Sequence, residues 1–358
     1  MIEERLSLVR EVAATQELDA ILFTDLKNIR YLCGFTGTDG LFVIGPNESV
    51  FLCDSRYTMQ ARAQVGADRV EEYKIKSDGL LNVLNSWGVG RVGFEAATLP
   101  YGVVQELKLK SPSGIDWVPL DKDLQPLRCC KSPDEIDLIC QAETIAAAAF
   151  EEIIPLIRPG ALEKDIALEL EIAMKRRGAE ERAFDFIVAS GERGALPHGV
   201  ASDKAIMAGE LVTIDFGARY RGYHSDETVT VAVGDVSGDL RKIYDVVLEA
   251  HDRAIALVKP GVALTEIDKA ARDYISEQGF GDYFGHGLGH GVGLDIHEYP
   301  SVSTRAEDVA KQGMVFTIEP GIYIPGLGGV RIEDIVEVTA DGCRILTQVP
   351  KDYRILAV

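Results

Sequence analysis

The chain repeats itself. Ile157-Arg158-Pro159-Gly160 is followed by Ile166 and Gly178, and Val258-Lys259-Pro260-Gly261 by Ile267 and Gly279, so every pair of positions is offset by 101 residues. Each copy sets a long helical segment before its Pro-Gly, a second helical segment after it and strand-like runs beyond. A repeat of this kind is an α+β half that buries its apolar face against its twin. Two halves packed face to face bring equivalent strands around one central cleft, where a ligand or metal site is expected.

The repeat leaves the first third of the chain outside it. At 358 residues the sequence exceeds the length at which a single core usually splits, so two domains are expected. Residues 19–54 alternate apolar runs (DAILFT, GLFVIG, SVFLCD) with turn signals at Gly37-Thr38-Asp39-Gly40 and Gly45-Pro46-Asn47. These runs read as strands of a mixed sheet. Helical stretches near the start, from Arg56 to Gly66 and from Asp78 to Trp87, complete a smaller α/β module that ends before Leu120. The segment SPSGIDWVPLDKDLQPLRCCKSPDE is rich in Pro, Ser and Asp, and Ser132-Pro133-Asp134-Glu135 reads as a helix start. The expected domains are therefore 1–125 and 126–358.

A formal net charge of −20 repels phosphate backbones and anionic membrane surfaces, which argues against nucleic acid as a partner. The first twenty residues carry early acidic groups and amphipathic spacing, not a basic segment followed by an apolar one, so no signal peptide is read there. No uncharged apolar run approaches bilayer length, and a soluble protein of the cytoplasm is expected. Six cysteines (Cys33, Cys53, Cys129, Cys130, Cys140, Cys343) lack a CxxC pair and read as reduced, buried small hydrophobes.

The chemistry lies in the repeat. LVTIDFGARYRGYHSDETVTVAV reads as two strands carrying Asp215 and Asp226. MVFTIEPGIYIPGLGGVRIEDIVEV has the same shape, with Glu319 and Glu333 in the matching positions. Four carboxylates converging in one cleft repel one another, at a cost of several kcal/mol unless a cation neutralises them. His198 and His297, offset by 99 residues, duplicate the pattern, and GHGLGHGVGLDIHE adds His286 and His290 among glycines that let backbone approach a ligand. Carboxylates with a single imidazole suit Mn²⁺ first, with Co²⁺, Fe²⁺ or Zn²⁺ as alternatives. Two such ions about 3.5 Å apart would activate one water. Taken singly, each residue has a structural explanation: a strand edge, a turn before Pro320, a histidine in a glycine-rich loop. Their joint placement at corresponding points of a repeat favours the site. His251, among Glu249 and Asp252 on a helix, is read as structural, and His224 is left between supporting the site and accident.

These residues resemble the pita-bread metallopeptidases, the family of methionine aminopeptidase, aminopeptidase P and prolidase. The likeness runs from Asp134 to Val358 through VTIDFG, SDETVT, GHGLGHGVGLDIHE, FTIEPGIY and GGVRIEDIVEV. YLCGFTGTDG and FLCDSRYTMQA are similar to the creatinase-type N-terminal domain of the proline-directed branch. The resemblance implies an α+β pita-bread catalytic domain with an internal pseudo-twofold repeat at 126–358, preceded by a smaller α/β creatinase-type domain at 1–125. It implies two divalent metal ions held by Asp215, Asp226, His290, Glu319 and Glu333. It places His198, His286 and His297 at substrate-binding or proton-shuttling positions, Arg331 at the arginine that organises the site and contacts substrate, and Glu319 as the group that moves water's proton to the leaving nitrogen. Creatinase and some histone chaperones of the fold lack this ligand set. The implied partner is a proline-containing peptide, cut at the bond before proline, and the implied assembly is a homodimer. Prolidases of the family have an arginine just after the His-Glu-aromatic-Pro stretch, whereas this chain has Ser301 there and Arg305 nearest. That departure tilts the reading to an aminopeptidase P-like enzyme, with an Xaa-Pro dipeptidase as the alternative. A metal-free peptide-binding module, or lyase or amidinohydrolase chemistry on the same fold, is the rival outside peptidases.

Overall fold

Both copies of the repeat fold alike, and their glycines show why. In the computed structural model, which describes residues 2–111 and 114–357, Gly160 and Gly261 have φ of 89° and 87°, and Gly178 and Gly279 have φ of 102° and 88°. This left-handed region suits residues without a Cβ. The first copy runs through helices Pro133–Ile153 and Glu163–Arg176, the second through Gly238–Leu257 and Leu264–Glu277. The helix at Pro133 begins with a capping box, in which Ser132 and Glu135 satisfy each other's backbone N–H, and with Pro133 in its first turn. After the Pro-Gly turn, the amides of Gly160 and Gly261 donate to the carbonyls of Ile206 and Ala310, both at 2.9 Å.

Each half then builds a sheet. Strands Ile187–Ser190, Glu210–Phe216 and Glu227–Val233 pair antiparallel, with Ile355–Leu356 added parallel at the edge. In the second half the sheet order is Glu298–Val302, Gly289–Gly291, Val315–Ile318, Asp334–Val338 and Cys343–Ile345. A small hairpin interrupts each pair of central strands: Ala218–Tyr220 with Tyr223–His224, and Gly321–Ile324 with Gly328–Arg331. Each hairpin lifts the acidic residues that flank it to the inner ends of the strands. Separate apolar clusters support the halves, one around Phe150 and Phe216, whose rings stack at 5.0 Å, and one around Tyr244, Ile267 and Phe316. A seam joins them: Thr228 pairs with Glu333 in an antiparallel bridge, and the Thr230 hydroxyl donates to the Arg331 carbonyl at 2.9 Å.

The chain divides into compact units at Met1–Arg128 and Cys129–Val358. The first holds a mixed six-stranded sheet in the order Arg69–Glu72, Ser49–Cys53, Leu41–Ile44, Ala20–Phe23, Arg91–Glu95 and Asp116–Leu120. Every residue of the three strands from Ser49 to Phe23 in that order is buried, as expected of a sheet covered on both faces. The helices at Thr58–Gln64 and Lys76–Trp87 occupy the two stretches read from the sequence, and Leu26–Cys33 and Tyr101–Lys110 are additional. All six cysteines are free, but only Cys33, Cys53 and Cys129 are buried. Cys130 is exposed, which corrects the reading of all six as buried hydrophobes, because it sits where the chain enters the second unit and its neighbour Cys129 takes the core position.

Candidate metal centre

The strand ends converge on one cavity of about 500 Å³. His198, Asp215, Asp226, His286, His290, His297, Glu319, Arg331 and Glu333 all line it, together with Phe184, Ile187, Pro197, Val200 and Ser301. Their relations differ. One donor atom from each of Asp226, His290 and Glu333 lies within 4.8 Å of the others. Glu319 flanks this trio, its Oε1 3.3 Å from His290 Nε2. Asp215 Oδ2 accepts from Arg331 Nη2 at 2.6 Å, and its buried Oδ1 meets no hydrogen-bond donor.

Local structure fixes each group. His290 lies on a short strand between Gly289 and Gly291, and a Cβ on Gly289 would fall 1.9 Å from the Thr317 carbonyl oxygen, so only glycine lets this strand approach its neighbour. The His290 amide donates to Thr317 Oγ1 at 3.1 Å, and that hydroxyl donates to Glu319 Oε1 at 3.2 Å. Thr228 Oγ1 donates to Glu333 Oε2 at 2.6 Å and accepts from Arg331 Nε at 3.2 Å. Arg331 also reaches the Pro197 carbonyl and the Tyr323 hydroxyl, both at 3.0 Å. Its donors are thus largely committed to protein, the geometry of a brace more than of a substrate contact. His286 is similarly engaged, with Nδ1 2.7 Å from the Gly287 carbonyl and Nε2 2.9 Å from Tyr323 Oη. His297 lies edge-on to His290 at 4.3 Å between ring centroids. His224 contacts the Gly293 carbonyl through both its amide, at 2.9 Å, and Nδ1, at 3.0 Å, and so holds the turn between His290 and His297.

Several supports were not visible in the sequence. Glu163, fully buried, accepts from Ser190 and Ser202 and pairs with Arg193, fixing both ends of the loop that carries His198. Asp268 accepts from Arg272 and from the Leu288 amide, while Arg272 donates to the carbonyls of Phe284 and His286, clamping the glycine-rich stretch. The only signal for the second pair was its i, i+4 spacing on a helix.

The electrostatics test whether a cation fits. Burial, reinforced by the neighbouring carboxylates, pushes Asp226 (beside Glu333 and Asp215) and Glu333 (beside Glu319 and Asp215) well above the ordinary range, and burial pushes Glu319 up to about 8 despite Arg331. Burial holds His290 down at about 3, so its imidazole is neutral. Its Nδ1, 3.1 Å from the Gly291 carbonyl, takes the donor role and turns the Nε2 lone pair towards Asp226 Oδ2 at 3.5 Å and Glu319 Oε1 at 3.3 Å. A lone pair aimed at carboxylate oxygens, next to an orphaned acceptor on Asp215, is a donor set that a divalent cation satisfies.

Residues 137–340 match the metallopeptidase family M24, and residues 5–130 match the creatinase/prolidase N-terminal domain. The chain belongs to metallopeptidase family M24. Among its M24 relatives, an Xaa-Pro dipeptidase of Pyrococcus horikoshii is 41% identical over 352 residues, spanning 98% of this chain and 99% of the relative. A solved Xaa-Pro dipeptidase from Bacillus anthracis superposes with a TM-score of 0.97 at 42% identity, covering 99% of this chain and 100% of that one. A solved X-Pro aminopeptidase from Thermotoga maritima superposes at 0.88 and 38% identity, covering 95% and 98%. The fold is therefore the pita-bread catalytic domain preceded by a creatinase-type domain. As an M24 metallopeptidase the chain works with divalent metal ions.

Proposed function

We propose that this chain is a two-metal Xaa-Pro peptidase, with dipeptides as the favoured substrates. The observation that carries the reading is the trio of Asp226, His290 and Glu333, gathered in one cavity with Asp215 and Glu319 beside it. Asp215, Asp226, His290, Glu319 and Glu333 would hold the ions, and the oxygen-rich set favours Mn²⁺ over softer metals. When bound, the ions supply Lewis-acid polarisation of the carbonyl and a water acidified to near neutral pH.

The protein's own groups do the rest. Glu319, its Oε1 held by Thr317, takes the proton from water and returns it to the departing imide nitrogen. His297 and His198, on the cavity wall, donate to the oxyanion or to the proline side of the substrate, each contributing about 3 kcal/mol. Phe184, Ile187, Pro197 and Val200 offer the apolar surface that a proline ring needs. Arg331 and Tyr323 keep Asp215 and His286 in place.

The dipeptidase preference rests on relatives of 41% and 42% identity that carry that name. The aminopeptidase P reading is favoured by Ser301, which stands on the cavity wall where prolidases of the family have an arginine, and by the 38% identical X-Pro aminopeptidase. A homodimer in the cytoplasm completes the proposal; six free thiols suit a reducing compartment. The deciding experiment offers chelator-stripped enzyme, with and without Mn²⁺, Xaa-Pro dipeptides beside Xaa-Pro-Yaa tripeptides. Metal-dependent cleavage of dipeptides alone is expected. Cleavage of tripeptides establishes the aminopeptidase reading, and no cleavage of either with metal bound overturns the function.

A further inference from the structure

The second unit opens on two consecutive cysteines that the peptidase chemistry does not use. Their sulfurs lie 3.7 Å apart. They are unlike in setting: Cys129 is 4% exposed and packs in the core with Met314, whereas Cys130 faces solvent. The backbone on either side is fixed, since Cys130 bridges to Met314 and the Lys131 amide donates to the Gly313 carbonyl at 2.7 Å. The Lys131 ammonium is buried against Glu298 at 2.9 Å, and Glu298 directly follows His297 on the cavity wall.

We propose that Cys129 and Cys130 form a vicinal dithiol that a hydroperoxide closes to a disulfide, and that closure reaches the active site through Lys131 and Glu298. Reactivity is divided to match the geometry. The Cys129 thiol donating to its neighbour, with Lys131 and Lys311 nearby, holds Cys130 at about 6, while the same contact and burial push Cys129 upward. The exposed thiolate of Cys130 is the nucleophile. It attacks the peroxide O–O bond, which breaks to give a sulfenic acid and an alcohol or water. Cys129 sulfur then attacks the sulfenyl sulfur, the S–S bond forms, and the hydroxide leaves as water with the Cys129 proton. Both sulfurs are oxidised by one electron each and the two peroxide oxygens are reduced. Neighbouring Cα atoms sit about 3.8 Å apart, below the usual span of about 4.4–6.8 Å for disulfides, so the ring is strained and readily reduced again. The strain turns the Cys129-Cys130 peptide and draws on the adjoining Lys131, whose ammonium cannot follow without leaving Glu298.

The modification stands on the thiol geometry, and only its effect on turnover rests on the peptidase reading, so the two are read separately. Manganese-loaded full-length enzyme is treated with stoichiometric hydrogen peroxide and analysed by intact mass and peptide mapping. A loss of about 2 Da confined to the 129–130 peptide, reversed by dithiothreitol, is expected. Cys130→Ser should show no such loss. Phenylarsine oxide, which requires two sulfurs, should protect both thiols from alkylation in the wild type and leave Cys129 unprotected in the variant. Turnover should fall on the order of tenfold on oxidation, recover with reductant, and stay constant in Cys130→Ser. Oxygen addition at Cys130 without ring closure, or pairing of either thiol elsewhere, overturns the dithiol. Closure that leaves turnover unchanged overturns the route through Lys131.

Discussion

Glu319 and His251 show how differently two titratable residues of one chain are employed. If Glu319 carries the proton, Glu319→Gln keeps its shape and its Thr317 contact yet should lower kcat by about 10² to 10⁴, with little change in substrate KM, in metal-saturated steady-state assays. His251 instead belongs to the frame. It is 2% exposed, with Nε2 3.1 Å from Asp334 Oδ2 but without hydrogen-bond alignment, and Nδ1 3.1 Å from Asp252. Burial alone would lower its pKa, but the two carboxylates outweigh burial and raise it above the ordinary 6.5. The folded state therefore holds this proton more tightly than the unfolded chain does. Its contribution is complete below pH 6.5 and is lost as pH rises through the raised value. His251→Gln should accordingly cost most near pH 6, on the order of 3 kcal/mol, and less near pH 9, as read by urea unfolding at each pH. The sequence placed His251 on a helix and read it as structural, yet nothing in the spacing of Glu249 and Asp252 shows Asp334 arriving from another strand. Tyr323 and Glu163 were illegible for the same reason, since Tyr323 meets His286 and Glu163 meets Ser190, Arg193 and Ser202 from well along the chain, whereas Arg272 showed its i, i+4 spacing from Asp268 but not its reach to the Phe284 and His286 carbonyls. The nine candidate residues could be picked out of the sequence because the repeat and the motifs mark them locally, and in the fold all nine line one cavity.

At the scale of elements, the glycines separate turn-makers from close-contact makers. Gly261 sits at φ 87° with open space around its Cα, so Gly261→Ala carries only the left-handed backbone cost of about 1–2 kcal/mol and should lower Tm by a few degrees with kcat unchanged. Gly289→Ala meets the Thr317 carbonyl at 1.9 Å and must push the His290 strand away from Glu319. Calorimetric titration of the stripped variant with Mn²⁺ should show metal binding weakened by an order of magnitude or more, even where circular dichroism shows the fold retained. The Pro-Gly turns were readable from sequence because a positive φ leaves a residue signature. The short hairpins at 218–224 and 321–331 were not, since LVTIDFGARYRGYHSDETVTVAV and MVFTIEPGIYIPGLGGVRIEDIVEV each read as two strands, and the separate small hairpin between those strands is set by pairing in the folded chain.

For the molecule as a whole, the buried carboxylates make metal and stability one problem. A cation at 100 times its Kd should stabilise the fold by about 2.7 kcal/mol, which at roughly 2–4 °C per kcal/mol gives a rise in Tm of about 5–10 °C. The rise should shrink as pH falls, because protons compete for the same oxygens; a scanning-calorimetry series with Mn²⁺ at pH 5 and pH 8 checks it, and an equal shift at both would contradict a carboxylate site. The seam between the halves has a further consequence. Asp215 and Asp226 come from one copy and His290, Glu319 and Glu333 from the other, while Thr228 and Thr230 knit the two together where Glu333 and Arg331 emerge. Each copy brings its own helix pair and most of one apolar cluster, with Leu211 and Ala232 crossing into the second cluster and Val349 and Leu356 into the first. Cutting the chain in the exposed link at Asp235–Ser237 should therefore yield two pieces that are each inactive, yet regain peptidase activity when mixed: an enzyme reassembled from separate genes, much as its doubled form implies that one half once met a second copy of itself.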